Sequence, residues 1–110
     1  MCGIAGVMMR SGASPDQAAL AALTQALAHR GPDGEGQYID GTVGLVHTRL
    51  AIIDLETGDQ PLFENPDAPT SGATVITNGE IYNYRELQKE FSPGTFHTWS
   101  DCEPSLHLYR

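Results

Sequence analysis

Nine small or apolar residues open the chain, and the second of them is a cysteine: Met1-Cys2-Gly3-Ile4-Ala5-Gly6-Val7-Met8-Met9. This run predicts a strand over residues 2–9 that is apolar on both faces, and Gly3 and Gly6 indicate close approach of another backbone or a ligand. A residue as small as Cys2 permits trimming of the initiator methionine, which would leave the cysteine with a thiol and a free α-amine. Such an amine titrates just above neutral pH and can act as a local base. From position alone, the alternative is a buried and inert cysteine.

The composition fits at most one domain, with 110 residues and a net charge of −8. This acidic balance argues against nucleic acid and anionic membranes as partners. The cysteines, Cys2 and Cys102, do not make a disulfide framework. The apolar opening has neither the basic flank nor the cleavage pattern of a signal peptide. We therefore expect a cytoplasmic protein whose thiols stay reduced.

Capping signals predict a first helix with Ser14 as its N-cap, Pro15 at the first helical position and Gln17 closing a capping box. Leucines then recur at helical spacing, with alanines between them. Gly31 is predicted to end the helix as a left-handed cap, followed by a proline stop. The glycine-rich residues 30–36 do not have the Gly-Lys-Ser/Thr ending of a phosphate-binding loop.

Two further helices are predicted in the second half of the chain. Asn83 can cap a helix that runs to about Phe91, before a Pro-Gly pair. Ser100 and Glu103 form a second capping box, from which the last helix starts. No capping signal closes that helix before Arg110, so we expect the chain to be a piece of a longer protein.

Short strands are expected between these helices. Asp40-Gly41 is a hairpin signal that joins two of them. The many glycines and prolines of residues 56–71 predict turns, and residues 49–54 form an apolar segment that we interpret as a strand turning a corner. The predicted strands are 37–39, 43–47, 49–54, 73–77 and 96–99.

Candidate chemistry lies at loop positions, where function concentrates. Arg49 directly follows a strand, and its guanidinium suits bidentate binding of a carboxylate, with a surface salt bridge as the alternative. The amide of Asn78 and a backbone N–H beside Gly79 can together hold a developing oxyanion, although the same residues also suit a plain turn. Asp101 can hold an ammonium group or simply cap a helix.

A metal site is not expected. The spacing of His97, Cys102 and His107 is not a recognised zinc pattern, and the strand and helix that carry them need not converge. His47 is interpreted as a strand residue that supports Arg49.

Six segments, in this order along the whole chain, resemble the class II glutamine amidotransferase domain of glutamine-hydrolysing asparagine synthetases. No single segment is decisive, but six in register are highly specific. The segments are Met1-Cys2-Gly3-Ile4-Ala5-Gly6, Arg30-Gly31-Pro32-Asp33-Gly34, His47-Thr48-Arg49-Leu50-Ala51-Ile52-Ile53-Asp54, Gln60-Pro61, Asn78-Gly79-Glu80-Ile81-Tyr82-Asn83 and Ser100-Asp101-Cys102-Glu103.

The resemblance implies an α+β fold of the N-terminal-nucleophile hydrolase type, a four-layer αββα sandwich. Residues 1–110 would form the N-terminal part of the glutaminase domain, so the sandwich is expected to be incomplete. The resemblance also assigns roles: Cys2 attacks the glutamine amide, its α-amine relays the proton, and Asn78 with the Gly79 N–H forms the oxyanion hole. It further implies that glutamine is bound by Arg49 at its carboxylate, by Asp101 at its ammonium group, and by Leu50, Ala51, Ile52, Ile53 and Glu80 along the pocket.

The implied partners are L-glutamine and a synthetase domain that uses the released ammonia. The Ser-Gly-Gly-Leu-Asp-Ser signature of that domain does not occur here, so no cofactor is expected in this chain. ATP and Mg would belong to the synthetase domain, which amidates aspartate. One alternative is a catalytically inert piece that only binds, or that pairs its open sheet edges in a homodimer. Another is the glutaminase part of an amidotransferase with a different acceptor.

Overall fold

A computed structural model describes residues 1–109; Arg110, to which the last helix was expected to run, lies outside the described residues. The described residues form three α-helices and two antiparallel sheets, so the predicted α+β class is confirmed. The elements are β1 (Gly3–Met8), α1 (Gln17–Leu27), β2 (Gly34–Asp40), β3 (Val43–Arg49), β4 (Leu62–Phe63), β5 (Thr74–Val75), α2 (Tyr84–Gln88) and α3 (Glu103–Leu108).

The first sheet has the order β1-β3-β2, and both outer strands run antiparallel to β3. Helix α1 packs on β1 and β3 and buries Leu20 completely, as the central strand buries Val46. The predicted hairpin between β2 and β3 is confirmed: Asp40 pairs with Val43, and Gly41 adopts a positive φ of 54°. Because β3 has a partner on each side, its position fixes that of the others.

The second sheet pairs β4 with β5, and helix α3 packs against it. Leu62, Cys102 and Leu106 form the small apolar core between them. The described elements therefore comprise two sheets, each with a helix packed against it, and do not make a complete four-layer sandwich. None of the helices within residues 1–109 is long and apolar enough to cross a bilayer.

The predicted start of α1 is wrong. Asp16, and not Ser14, is the N-cap, and its side chain accepts a hydrogen bond from the Ala18 N–H. Pro15 lies before the cap and is buried near Gly44 of β3, so packing of the proline moves the helix start by two residues. The α-helix ends at Leu27, and one 3-10 turn follows it.

The other helices are also shorter than predicted. Helix α2 ends at Gln88, because the N–H groups of residues 89–91 bond to carbonyls three residues back and not four. Its predicted cap, Asn83, is at the N-cap position but makes no side-chain capping bond. Helix α3 begins at Glu103, which places Pro104 in the first turn, where no N–H is needed.

Several strands differ from the prediction in length or in existence. Strands β2 and β3 are longer than expected, β5 is limited to Thr74–Val75, and β4 lies inside the turn-rich stretch. Residues 50–54 and 96–99 are not strands. In the second case the carboxylate of Glu103 accepts the N–H groups of His97 and Thr98, at 2.8 and 2.7 Å, so this backbone bonds to a side chain and not to a sheet.

The buried carboxylate of Glu103 is held ionised by these donors. Burial alone would raise its pKa, but the hydroxyl of Thr98, the backbone of His97 and Thr98 and the ring of His107 together lower it below the usual value. The same Glu103 was predicted to close a capping box with Ser100. Its side chain instead connects the loop before α3 to the helix, through hydrogen bonds from the His97 and Thr98 N–H groups.

Two glycines allow close contact between the first sheet and its surroundings. A Cβ on Gly31 would lie 2.3 Å from the carbonyl carbon of Thr48, and one on Gly36 would lie 1.9 Å from the Gln60 oxygen. Gly31 has a φ of −144°, so it is not the predicted left-handed cap; proximity to β3 requires it. The sequence predicted close approach of another backbone or a ligand at Gly3 and Gly6. A Cβ on Gly3 would instead lie 2.6 Å from the side-chain oxygen of Thr48, and one on Gly6 would make only ordinary contacts of 3.5 Å.

We expect Gly31→Ala to destabilise the protein by about 3 kcal/mol or more, because the added methyl overlaps the backbone of β3. Gly6→Ala is the matched control in the same sheet region, and we expect it to change the free energy of unfolding by less than about 1 kcal/mol. Urea denaturation of both variants measures the difference. Equal stability of the two would contradict the close approach of residue 31 to β3.

Candidate active site

One cleft of about 240 Å³ gathers almost all of the predicted site residues. It lies where β1 begins, where β3 ends and beside the loops that follow β5 and precede α3. The predicted residues that line it are Cys2, Arg49, Leu50, Ile52, Ile53, Asn78, Gly79, Glu80 and Asp101. Ala51 is the exception.

Cys2 is half-buried at the start of β1, beside the residue that follows β3. Its Sγ lies 3.3 Å from the backbone nitrogen of Leu50, which donates to it, and 3.7 Å from the Leu50 carbonyl. The Cys2 carbonyl accepts a hydrogen bond from Arg30 Nε at 3.0 Å. Met1 also lines the cleft and keeps the Cys2 nitrogen in a peptide bond.

Arg49 ends β3 and is only 6% exposed. Its guanidinium is not a free fork: NH2 donates to the carbonyls of Ile53, at 2.9 Å, and of Asp54. NH1 donates to a carboxylate oxygen of Asp59 at 2.8 Å. Arg49 nevertheless lines the cleft, so the cation is presented to it from a fixed position. Asp59 was missed by the sequence analysis, since nothing in a turn-rich stretch marks it as a partner of Arg49.

The loop after β3 curves along one side of the cleft. Leu50, Ile52 and Ile53 line the cleft, whereas the Ala51 N–H is turned toward Asp33 and donates to its carboxylate at 2.9 Å. Two charged residues of the glycine-rich loop thus contact the walls of the cleft: Asp33 bonds to Ala51, and Arg30 bonds to Cys2.

Asn78 and Gly79 follow β5 on the opposite part of the cleft. The loop is anchored just before them, because the Thr77 N–H donates to Gln60 Oε1 at 2.6 Å and its carbonyl lies 3.1 Å from His47 Nε2. A Cβ on Gly79 would meet nothing within 4 Å, so the space beside it is open. Asn78 and Gly79 both line the cleft.

His47 is fully buried in β3 and makes a different contact from the one predicted. It forms no hydrogen bond with Arg49; its ring bonds the Thr77 carbonyl instead, so it supports the loop of Asn78. Burial lowers the pKa of His47, and the nearby Arg49 acts in the same direction. The neutral ring donates from Nε2, which leaves Nδ1 buried without a hydrogen-bond partner among residues 1–109.

Asp101 is buried, and its carboxylate accepts the Ile81 N–H at 2.8 Å. It therefore joins the loop before α3 to the one that carries Asn78, and it does not cap α3, the alternative function considered for it. Cys102 beside it is buried as well. Burial, and then the charge of Asp101, raise the pKa of the Cys102 thiol to about 11. The Cys102 thiol is thus held protonated.

The residues checked for metal binding do not come together. His97 is exposed, whereas His107 Nε2 lies 3.2 Å from Glu103 Oε1, and Cys102 faces the cleft. Across the described residues, no group of three or more His, Cys, Asp and Glu side chains could hold a metal ion.

Known proteins resemble this chain over its whole length. The glutamine-hydrolysing asparagine synthetase of Brassica oleracea is 48% identical over 113 residues, covering 99% of this chain and 18% of that protein. An Arabidopsis thaliana asparagine synthetase of the same description is 47% identical, again over 99% of this chain and 18% of its own length. A Bacillus subtilis relative is 41% identical over 99% of this chain and 14% of its own length.

The chain thus spans only 14–18% of the length of these curated relatives. A family model described as a glutamine amidotransferase domain matches residues 1–110. Because this match runs from the first residue to the last, the chain belongs to the glutamine amidotransferase domain family.

Proposed function

We propose that this chain is the glutaminase part of an asparagine synthetase, which hydrolyses L-glutamine to glutamate and ammonia. The observation that carries the proposal is the shared cleft, in which a cysteine sulfur, a fixed cation, an anion and an amide-bearing loop face one volume. Glutamine has the matching groups: an electrophilic amide, a carboxylate and an ammonium group.

Substrate recognition uses the two charged residues of the cleft. Arg49 binds the α-carboxylate of glutamine, because NH1 has a second proton and Nε another that the described contacts leave unused. Asp101 binds the α-ammonium group through carboxylate lone pairs that the hydrogen bond from the Ile81 N–H does not use. Leu50, Ile52 and Ile53 line the cleft along the substrate, and Glu80 lies at the exposed rim.

Catalysis uses Cys2 after removal of Met1. The free α-amine takes the thiol proton, and Sγ bonds to the amide carbon of glutamine. The tetrahedral oxyanion accepts hydrogen bonds from Asn78 Nδ2 and the Gly79 N–H. The C–N bond then breaks and ammonia leaves with the proton that the α-amine returns. Water hydrolyses the resulting thioester to glutamate and regenerates the Cys2 thiol.

The fate of the ammonia follows from the relatives, whose printed names describe glutamine-hydrolysing asparagine synthetases. We assign it to ATP-dependent amidation of aspartate in the remaining length of the protein. The acceptor step lies outside these 110 residues.

We expect Cys2→Ala to abolish glutaminase activity while glutamine binding persists, because the substitution removes the sulfur but none of the groups that hold the substrate. Ammonia release and calorimetric titration with glutamine, on the protein at its full natural length, measure the two properties. Cys102→Ala is the control thiol variant and should still hydrolyse glutamine. Ammonia release by Cys2→Ala at the rate of the unmodified protein would refute the proposed function.

We expect Asn78→Ala to lower kcat for glutamine by about 100- to 1000-fold with little change in KM, since an oxyanion-hole donor acts mainly in the transition state. Asn83→Ala is the matched control: Asn83 is exposed on the same loop and makes no capping bond. Steady-state kinetics of the two variants test the assignment. An equal effect of both substitutions, or a loss confined to KM, would contradict an oxyanion role for Asn78.

A further inference from the structure

Backbone carbonyls hold one end of the Arg49 guanidinium. NH2 has two protons, and the carbonyls of Ile53 and Asp54 accept hydrogen bonds from it. These carbonyls belong to the loop that lines the cleft, and the arginine itself is buried in its wall. The bond from NH1 to Asp59 therefore adds to two backbone hydrogen bonds that also hold the guanidinium.

Asp59 reaches the guanidinium from outside the cleft. Its side chain is 74% exposed, and it lines a second cavity of about 260 Å³ together with Pro61, Phe63 and His97. It does not line the cleft that contains Cys2. The Arg49 guanidinium thus contacts the Asp59 carboxylate on one side and lines the cleft on the other.

The charge of Asp59 has a consequence for any carboxylate that binds Arg49 from the cleft. The buried guanidinium already has an anion 2.8 Å from NH1, which offsets part of its positive charge. A second carboxylate on the same guanidinium is also repelled by the first. Because the exposed Asp59 is well solvated, this repulsion is moderate, but it acts against binding.

We propose that Asp59 controls substrate affinity: its charge weakens the binding of the glutamine α-carboxylate to Arg49 and so raises the KM for glutamine. The inference rests on the proposed glutaminase function and adds to it the control of substrate affinity. Asp59 acts through Arg49 and is not itself a catalytic residue.

Asp59→Asn tests the inference, because it keeps an oxygen acceptor for NH1 while it removes the charge. In the protein at its full natural length, we expect KM for glutamine to fall about threefold to tenfold, with kcat unchanged within about twofold. Asp59→Glu keeps the charge and should retain the original KM. Asp67→Asn, an exposed aspartate in the same turn-rich stretch, controls for the change in net charge.

A second readout separates charge from structure. The α-amide of glutamine has no carboxylate, so its KM should be the same for Asp59→Asn as for the unmodified protein. An unchanged or raised KM for glutamine in Asp59→Asn would overturn the inference and assign Asp59 a supporting role for Arg49. An unmodified protein that does not hydrolyse glutamine would refute the proposed function itself, and this inference with it.

Discussion

The antiparallel register between β1 and β3 is the constraint on which the site depends. Gly3 pairs with Thr48, so the residue before it, Cys2, lies beside the chain where β3 ends and Leu50 begins the next loop. The bond from the Leu50 N–H to the Cys2 sulfur follows from that register. A slip of one residue would reverse the faces of β1 and carry the cysteine away from Arg49. The strand pairing therefore determines which groups share the cleft.

Loops supply the remaining site groups, and buried hydrogen bonds hold these loops in place. Thr77 is tied to Gln60 and to His47, and Ile81 to Asp101, so the segment with Asn78 is fixed on both sides. Gly36 lets β2 lie against the Gln60 backbone, which connects the first sheet to this network. The geometry of this segment is well defined because its anchors are backbone groups bonded to the partly or fully buried side chains of Gln60, His47 and Asp101.

Sequence motifs predicted which residues share a cleft better than they predicted the elements around them. Cys2, Asn78 and Asp101 lie in ordered motifs, and the structure brings them to one cleft, where their chemical roles stay predictions. The Arg49–Asp59 pair could not be anticipated, because it depends on how a turn-rich stretch folds back on β3. Ser14 and residues 96–99 were assigned from local signals, which tertiary contacts overrode: burial of Pro15 in one case and the Glu103 carboxylate in the other.

In the proposed mechanism Cys2 is both the nucleophile and the N-terminal residue. Mass spectrometry of the protein quenched in acid during turnover on glutamine tests this most directly. The predicted result is a chain without Met1 that has a γ-glutamyl thioester on Cys2, located by fragmentation. A chain that hydrolyses glutamine while it retains Met1, or that has the acyl group on Cys102 or another residue, would contradict the central claim.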